Sequence, residues 1–395
     1  MDLFEKCYKD TRAEEAIAKG YYPYFKAIQS GAGSTVMIDG REFIMIGSNN
    51  YLGLTQDPRI KEAAIDALDT FGSGCTGSRF LNGTLTLHEE LEEKLADFVH
   101  KEACLVFSTG FQVNQGTISS VVGKDDLIFG DRGNHASIVD GCRLAFGKTY
   151  KYKHNDMEDL ERLLQTHNNN SCGKLIVSDG VFSMEGDIVD LPKITKLAKK
   201  YNTRLMIDDA HSCGVLGKHG RGTGEHFDLE NDIDLMMGTF SKSFASLGGF
   251  IAGEKKVVEY IKHHARSLIF SASMPPSAVA TVNTALDILK AEPERLDNLW
   301  KNTAKMKKAF DEMGFNTGDT QTPIIPIIIG EDMHTFGFWK LLFEQGIFTN
   351  PVISPAVEPG HALLRTSYMA THTDDELDRV LAIFNRLGKK FGLIN

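Results

Sequence analysis

The sequence predicts an α/β protein whose large domain is built on a mostly parallel central sheet and is followed by a smaller C-terminal α+β domain. Short apolar runs recur between residues 103 and 240, segments with helical spacing lie between several of them, and the alternation stops near residue 285. Apolar runs that alternate with helices are typical of parallel strands buried on both faces. The runs cover residues 103–107, 126–129, 175–177, 205–207 and 235–237.

The chain divides into three predicted parts. Residues 1–47 form an N-terminal arm, in which Asp39-Gly40 is the predicted turn of a hairpin. Residues 48–285 form the large domain, because this part holds all of the regular alternation. Residues 286–395 form the smaller domain, in which strands and helices mix without that alternation.

Helices are predicted where apolar residues recur every three or four positions. In residues 86–99, for example, Leu87, Leu91 and Leu95 share one face. The predicted helices cover residues 11–19, 59–71, 86–99, 155–165, 192–201, 280–291, 296–313, 335–345 and 374–391. Outside the central sheet, residues 323–329 are a predicted strand, and Arg365 is expected to project from another one.

The composition is that of an ordinary globular protein and argues against several functions. The chain has 395 residues and a formal net charge of -10, so it offers no dense basic face for nucleic acid. No apolar run approaches the roughly 20 residues that span a bilayer, and the first residues carry no signal-peptide core. The six cysteines are scattered without a C-x-x-C pair, which favours reduced thiols in the cytoplasm over disulfides or a zinc site.

Residues 239–249 surround a lysine with features that suit covalent chemistry. Lys242 lies among small hydroxyl residues, directly after an apolar run and before two glycines. A lysine that forms an imine with an aldehyde must lose its proton readily, and partial desolvation promotes that loss. Nearby hydroxyls can bind a phosphate, and glycines let a cofactor approach the backbone. This stretch alone leaves open the alternative of a surface lysine in a turn.

Side chains that follow other predicted strands complement an aromatic, phosphorylated aldehyde. In sheets of this kind the ligand lies beyond the carboxyl ends of the strands. Asp208 can pair with a protonated ring nitrogen, His211 can hydrogen-bond a phenolic oxygen, and His135 can stack on the ring. Residues 108–111 follow a strand and open a helix, whose N-terminus can bind the phosphate.

Each of these residues also has a plainer interpretation. Asp208 and His211 are potential metal ligands, His135 can be a satisfied polar residue in a loop, and Arg365 can form an ion pair between domains. These separate explanations do not account for an acid, two histidines, several hydroxyls and a lysine that all follow strands of one sheet. One cofactor accounts for the whole set.

Six motifs along the chain form a specific set. They are residues 48–54, 77–84, 134–138, 179–186, 208–212 and 239–249. Together they resemble the motifs of the pyridoxal-phosphate-dependent α-oxoamine synthases, a family with the fold-type I architecture of the aminotransferase superfamily. The resemblance runs from about residue 20 to the C-terminus. It implies a fold-type I transferase, pyridoxal 5'-phosphate as the cofactor, no metal, and a homodimer with shared active sites.

The resemblance implies a role for each catalytic residue. Lys242 is the lysine that carries the cofactor as a Schiff base and acts as acid and base at the amino-acid Cα. Asp208 pairs with the pyridinium nitrogen, and His211 contacts the ring oxygen. His135 stacks on the ring and also contacts the substrate carboxylate.

The same resemblance implies the phosphate-binding residues. Gly110, Phe111, Thr239 and Ser241 hold the phosphate, and Ser183 lies near the ring oxygen and the phosphate side. A second group, Ser271 and Ser273, is expected to contact the phosphate of the partner subunit.

Three further residues are implied to bind the substrate. Arg365 binds the amino-acid carboxylate, while Asn50 and Ser78 line the substrate site. Ser78 is expected to reach across the dimer interface.

Three more segments, residues 270–274, 350–357 and 369–373, are similar to those of bacterial family members that condense serine with a long-chain acyl-CoA. The resemblance therefore implies that serine and palmitoyl-CoA give 3-ketodihydrosphingosine, CoA and CO2, the first step of sphingolipid synthesis. One departure is Gly133-Asn134 before His135, where such relatives more often have a charged residue.

The alternatives are the same chemistry with cysteate, which leads to sulfonolipids, or with glycine or alanine and a shorter acyl-CoA. A catalytically silent partner subunit is a further alternative, but it predicts loss of the lysine. A cytoplasmic location is expected, with peripheral contact at the inner membrane left open.

Overall fold

The computed structural model describes residues 2–168 and 171–395. Within those ranges the strands, in chain order, are β1 Thr35–Ile38, β2 Arg41–Met45, β3 Ala103–Phe107, β4 Leu127–Asp131, β5 Lys148–Tyr152, β6 Lys174–Asp179, β7 Arg204–Asp208, β8 Leu235–Thr239, β9 Gly249–Gly253, β10 Ile324–Gly330, β11 Ile347–Phe348, β12 Asn350–Val352 and β13 Ala362–Ser367.

The helices of the described ranges are α1 Glu5–Lys9, α2 Arg12–Ala18, α3 Pro58–Phe71, α4 Thr86–Phe98, α5 Gly110–Val121, α6 Ala136–Leu144, α7 Met157–Thr166, α8 Leu191–Lys200, α9 Thr223–His226, α10 Lys255–His264, α11 Arg266–Ile269, α12 Pro276–Ala291, α13 Glu294–Met313, α14 Asp332–Glu344 and α15 Asp374–Phe391. None of them is both long and apolar enough to cross a bilayer.

A seven-stranded sheet forms the centre of the large domain, in the order β3-β9-β8-β7-β6-β4-β5. Only β9 runs against its neighbours β3 and β8, and the remaining pairs are parallel. The predicted mostly parallel sheet is therefore confirmed. All the parallel strands, including β3, end on one edge of the sheet, so the residues that follow them lie close together.

Two strands of the central sheet, β5 and β9, are not predicted from the sequence. Strand β5 lies at the edge of the sheet, where its two lysines remain compatible with solvent. Strand β9 returns antiparallel directly after the lysine loop and is buried throughout. Its carboxyl end lies on the opposite edge of the sheet, so the residues that follow it do not join those that follow the parallel strands.

Alternating side chains of the buried strands enter different hydrophobic clusters on the two faces of the sheet. Leu105 and Met206 pack in the cluster beneath α5, α6 and α10, whereas Val106 and Ile207 pack in the cluster on the other face. Met206 and Ile207 are fully buried, and burying such a side chain contributes roughly 1.5–3 kcal/mol. This two-sided burial explains why the strands read as continuous apolar runs.

Local signals set the helix boundaries. The side chain of Asp57 accepts a hydrogen bond from the backbone N–H of Arg59 at 3.1 Å, and Pro58 occupies the first turn of α3. Helix α15 begins with a reciprocal capping box between Thr373 and Glu376. The predicted helices therefore agree with the observed ones to within a few residues.

The smaller C-terminal domain contains the antiparallel sheet β10-β13-β12. The predicted hairpin of the N-terminal arm is present, with Asp39 and Gly40 at positive φ, and its strand β2 pairs in parallel with β11. Ile44 of the arm belongs to the core of the smaller domain. The predicted domain boundaries stay a prediction, and the one at residue 286 lies within α12.

Candidate active site

A cavity of about 260 Å³ opens at the carboxyl edge of the central sheet. Nine side chains or backbone positions predicted from the sequence line it: Gly110, Phe111, His135, Ser183, Asp208, His211, Thr239, Ser241 and Lys242. They come from the ends of five strands and their following loops, so the topology brings together residues that are up to 132 positions apart, between Gly110 and Lys242.

One end of the cavity is built by the N-terminus of α5. The Thr109 side chain caps this helix by accepting from the Gln112 N–H at 3.2 Å. The amides of Gly110 and Phe111 have no acceptor within the described ranges. A Cβ at Gly110 would lie 2.6 Å from the Thr239 Oγ1, so only glycine fits. Free amides at a helix N-terminus form a binding site for a phosphate.

Lys242 lies in the loop between the antiparallel strands β8 and β9. Thr239 Oγ1 donates to the Gly248 carbonyl at 3.0 Å and lies 3.2 Å from Ser241 Oγ, which closes the base of this loop. The Lys242 amine makes no hydrogen bond or ion pair in the described part of the chain. Desolvation in the cavity lowers the pKa of Lys242 to about 8, with a contribution from Arg365 and against the opposing charge of Asp208.

Asp208 ends β7 and is only 2% exposed. One carboxylate oxygen accepts from the Ala210 N–H at 2.9 Å, and the other accepts from Asn114 Nδ2 at 2.7 Å. These two donors fix the carboxylate in the cavity. Asn114 lies one helical turn beyond Gly110 and is fully buried.

His135 is the N-cap of α6 and lies at the rim of the cavity. Its Nδ1 lies 2.7 Å from Ser137 Oγ, and its backbone N–H donates to Asp179 Oδ2 at 2.6 Å. Its ring meets Phe111 edge to face with 6.3 Å between centroids. Partial desolvation lowers the pKa of His135 despite the nearby charge of Asp208. Burial and the same charge raise the pKa of Asp179 well above its usual range.

His211 lines the cavity and is otherwise buried, and its Nδ1 lies 2.7 Å from the Tyr51 hydroxyl. Burial lowers the pKa of His211 well below its ordinary value, and the charges of Lys242 and Arg365 add to this effect. The ring is therefore neutral at neutral pH.

Arg365 lies on β13 of the smaller domain and reaches the large domain. Its Nε donates to the Ser183 carbonyl at 2.5 Å, and its Nη2 donates to Asn49 Oδ1 at 2.8 Å. The guanidinium is 5% exposed and has no carboxylate partner in the described ranges. An unpaired buried cation beside the cavity suits a carboxylate ligand.

The predicted substrate residues Asn50 and Ser78 do not line the cavity within one chain. Asn50 Nδ2 donates to the Ala32 carbonyl at 3.1 Å and to Thr55 Oγ1 at 2.9 Å, so this group is directed to the N-terminal arm. The remaining polar atoms, Asn50 Oδ1 and Ser78 Oγ, are buried and have no partner among the described residues.

Ser271 and Ser273 also lie outside the cavity of their own chain. Ser271 Oγ accepts from Gln112 Nε2 at 2.9 Å, and the Ser273 N–H donates to the Gly77 carbonyl at 3.0 Å. Ser273 Oγ is buried without a partner in the described ranges. The segment therefore packs along the first turn of α5 and against the loop that carries Ser78.

The donor set of the cavity fits a phosphorylated aromatic aldehyde. The lining supplies free amides and hydroxyls for the phosphate, an unpaired amine for the aldehyde and a fixed carboxylate for the ring nitrogen. No three His, Cys, Asp or Glu side chains among residues 2–168 and 171–395 are grouped to hold an ion.

Comparisons with known proteins agree with this chemistry. The sequence model of the family described as aminotransferase class I and II matches residues 41–384. A serine palmitoyltransferase of Sphingobacterium spiritivorum is 55% identical over 377 residues, which are 95% of this chain and 94% of that protein. The chain belongs to this family, and within it to the α-oxoamine synthases. It is thus an acyltransferase, and its cofactor is pyridoxal phosphate.

Two other relatives place the chain within the family. A high-resolution structure of a serine palmitoyltransferase with pyridoxal phosphate as internal aldimine has a TM-score of 0.96 and 35% identity, with 100% of both chains covered. An 8-amino-7-oxononanoate synthase of Symbiobacterium thermophilum is 45% identical over 375 residues, which are 95% of this chain and 96% of that protein. The predicted fold-type I architecture is confirmed.

Several residues of this α-oxoamine synthase site are missed by sequence reasoning. Asn114, Ser137, Asp179, Asn49 and Tyr51 all contact a predicted residue. A signal exists for two of them, since Ser137 follows His135 by two positions and Asn114 follows Gly110 by one helical turn. Asn49 and Tyr51 flank the predicted Asn50, and nothing in the sequence says which of the three faces the site.

Proposed function

We propose that this chain condenses L-serine with palmitoyl-CoA as a homodimer with shared active sites. A carbon–carbon bond forms between the serine Cα and the acyl carbonyl carbon, CoA leaves as the thiol, and the serine carboxylate leaves as CO2, giving 3-ketodihydrosphingosine. The observation that carries the proposal is the unpaired, desolvated Lys242 amine between the fixed carboxylate of Asp208 and the buried cation of Arg365. The serine palmitoyltransferase relative at 55% identity supports the choice of substrates.

Pyridoxal phosphate, when bound, supplies an electron-withdrawing ring that stabilises negative charge at the amino-acid Cα. The amides of Gly110 and Phe111 and the hydroxyls of Thr239 and Ser241 hold its phosphate. Asp208 holds a proton at the ring nitrogen, because its ionised carboxylate is fixed by two donors.

His211 and Ser183 hold the ring-oxygen side of the cofactor. The Tyr51 hydroxyl orients the His211 ring, and burial keeps that ring neutral. A neutral imidazole can donate to a phenolic oxygen without adding positive charge to the cavity.

Lys242 moves the proton at the serine Cα. Its lowered pKa, about 8, makes the neutral amine accessible near neutral pH, as a general base requires. Desolvation is the larger cause of this shift, so the exclusion of water from the cavity tunes the base.

Arg365 and His135 orient the serine carboxylate. The Arg365 guanidinium offers a planar fork of donors that matches a carboxylate, and His135 offers a ring at the cavity rim. Fixing this group decides which bond at Cα is broken, because the reacting bond must be aligned with the cofactor ring. Asn50 and Ser78 are proposed to line the same substrate site through their unpaired oxygens.

Exposed apolar side chains support the homodimer. Phe80, Leu81 and Phe270 are 52%, 76% and 74% exposed, and contiguous exposed apolar surface marks an interface. The segment that carries Phe270 also carries Ser271 and Ser273, which are proposed to reach the phosphate of the partner subunit. Ser78 is proposed to act across the same interface.

A substrate panel tests the proposal. Purified protein loaded with pyridoxal phosphate is supplied with serine, cysteate, glycine or alanine, each with palmitoyl-CoA and with a shorter acyl-CoA, and CoA and CO2 release are measured. We expect the highest kcat/KM for serine with palmitoyl-CoA. A preference for cysteate, or for alanine with the shorter donor, would overturn the substrate assignment and leave the reaction class intact.

Alanine with a shorter acyl-CoA is included in the panel because the 8-amino-7-oxononanoate synthase relative is 45% identical to this chain. The catalytically silent subunit predicts no turnover with any pair, although Lys242 argues against it. The cytoplasmic location and the peripheral membrane contact stay predictions.

A further inference from the structure

A chain of hydrogen bonds joins the ring of His135 to the carboxylate of Asp208 through two residues that sequence reasoning does not assign. His135 Nδ1 lies 2.7 Å from Ser137 Oγ, Ser137 Oγ lies 2.8 Å from Asn114 Nδ2, and Asn114 Nδ2 lies 2.7 Å from Asp208 Oδ2. Asn114 is fully buried and Ser137 is 1% exposed. We call these four residues the Asn114 relay.

The direction of the relay is fixed at its Asp208 end. An ionised carboxylate only accepts hydrogen bonds, so the group that faces it must be the amide nitrogen of Asn114 and not the amide oxygen. That nitrogen carries two hydrogens. One goes to Asp208 Oδ2 and the other goes to Ser137 Oγ.

Ser137 donates to the ring of His135. Since the Ser137 hydroxyl accepts from Asn114, its own hydrogen is free to point to His135 Nδ1. The backbone N–H of Ser137 also points to this atom, at 3.3 Å. Two donors aimed at one ring nitrogen make it the acceptor and place the proton of the neutral ring on Nε2.

The far side of the ring is available for a ligand. His135 Nε2 has no partner within the described ranges, and His135 lines the cavity. Asn114 Oδ1, by contrast, is buried without a partner in the described chain. A buried unpaired amide oxygen lowers stability, so an apolar side chain would serve packing better than this asparagine does.

We propose that Asn114 and Ser137 are positioning residues that hold His135 as the neutral Nε2–H tautomer and aim its one N–H donor at the substrate carboxylate. The carboxylate as the target rests on the proposed function, whereas the tautomer does not. A neutral His135 ring also avoids a second positive charge beside the cofactor, whose ring nitrogen Asp208 keeps protonated.

Asn114→Asp tests the relay with almost no change in shape. If the new carboxyl is ionised, both of its oxygens accept hydrogen bonds. If it is protonated and donates a hydrogen bond to Asp208, its other oxygen still accepts. In both cases Ser137 faces an acceptor, and its hydroxyl turns away from His135. We expect the pKa of His135 to rise, because hydrogen bonds to the neutral form of a group disfavour its charged form. We also expect kcat to fall about 100-fold.

The readout is the ¹⁵N spectrum of histidine-labelled protein loaded with pyridoxal phosphate and without substrate, followed as a function of pH. The His135 signals are assigned by their loss in His135→Asn. The charged and titratable groups that face His135 are Asp208, Asp179, Lys242 and His211, and the variants remove none of them. In the native sequence, Nδ1 is expected to be unprotonated and Nε2 protonated at pH 7.

Two further variants keep the test decisive. Ser137→Ala removes the hydroxyl donor but leaves the Asn114–Asp208 bond, so the pKa of His135 rises less than in Asn114→Asp while the visible absorbance of the cofactor is retained. Asn283→Asp makes the same exchange at another buried asparagine, on α12, and should leave the His135 signals unchanged.

The proposal is overturned if Nδ1 of the native protein carries the proton, or if Ser137→Ala and Asn114→Asp both leave the pKa of His135 unchanged. If Asn114→Asp does not fold, Ser137→Ala decides alone. Failure of the serine assignment would show in the substrate panel and would leave these spectra as they are.

Discussion

The carboxyl edge of the central sheet and the loops that surround it hold their polar side chains in different ways. At the sheet edge, Asp179 and Asp208 are neighbours in the register of β6 and β7, and both carboxylates have donors within the chain. In the loops, Ser78 Oγ and Ser273 Oγ are buried without partners in the described ranges, and so is Asn50 Oδ1.

This difference separates carboxylates that are already paired within one chain from polar atoms that need another molecule. An unpaired buried polar atom costs about 1–3 kcal/mol, and a substrate or a partner subunit that supplies the missing hydrogen bond offsets that cost. The strand-end group is thus expected to act in cofactor chemistry, and the loop group in substrate binding or assembly. The predictions below test this division.

The largest effect is expected at the sheet edge. Asp208→Asn keeps the size of the side chain but removes the charge that holds a proton at the ring nitrogen. We expect kcat to fall by about 10²–10³-fold, since one fixed electrostatic contact in an active site has this value, while the cofactor remains bound. Steady-state kinetics together with visible absorbance check this. Turnover within threefold of the native value would remove Asp208 from the catalytic group.

A second test uses the pKa of Lys242. In the cofactor-free protein, desolvation lowers this pKa to about 8. Since only the neutral amine attacks an aldehyde, the rate of pyridoxal phosphate incorporation should rise about tenfold from pH 7 to pH 9 and then level off. Stopped-flow absorbance measures the rate. A rate that still rises in proportion above pH 10 would mean that the amine is not desolvated.

A smaller effect is expected where the smaller domain contributes to the site. Arg365→Lys keeps the charge but loses the fork that bonds the Ser183 carbonyl and Asn49. Without this fork to orient the cation, we expect the serine carboxylate to lose about one hydrogen bond, worth roughly 1 kcal/mol. The KM for serine should then rise about fivefold with little change in kcat. An unchanged KM in steady-state assays would remove the carboxylate role of Arg365.

The smallest effect is expected in the loops. Ser78→Ala removes a buried hydroxyl that has no partner in the described chain, so the free energy of unfolding of the cofactor-free protein should not fall and should rise by up to about 1 kcal/mol. Thr373→Ala is the matched control, because Thr373 caps α15 and its loss should cost about 1 kcal/mol. Urea unfolding compares them. A cost for Ser78→Ala as large as the control's would show a structural partner and break the comparison.

The difference between the sheet edge and the loops also explains which site residues can be predicted from the sequence. Asp208, Thr239 and His135 are predictable because parallel strands end on one edge, so any polar residue after an apolar run points to the same place. Their supporting residues are harder to find. Asn114 lies inside a helix, where buried polar residues more often serve structure than chemistry. Asp179 ends β6 as Asp208 ends β7, but several polar residues follow that apolar run and the sequence does not say which of them faces the site.

The loop residues could be predicted only through the family resemblance. Between Asn49, Asn50 and Tyr51, the choice depends on the path of a short irregular segment, and the structure directs Asn49 to Arg365 and Tyr51 to His211. Strand β9 was missed because its antiparallel return depends on the tight loop around Lys242, with Ala245 at positive φ. Neither feature leaves a periodic pattern.

The covalent role of Lys242 is tested by locating the cofactor on the chain. Protein loaded with pyridoxal phosphate is reduced with borohydride, digested, and mapped by mass spectrometry, with Lys242→Ala as the control. We expect one pyridoxyl group per chain on Lys242, and no modified peptide and no turnover in the variant. A pyridoxyl group on another lysine, or turnover in Lys242→Ala, would contradict the central claim.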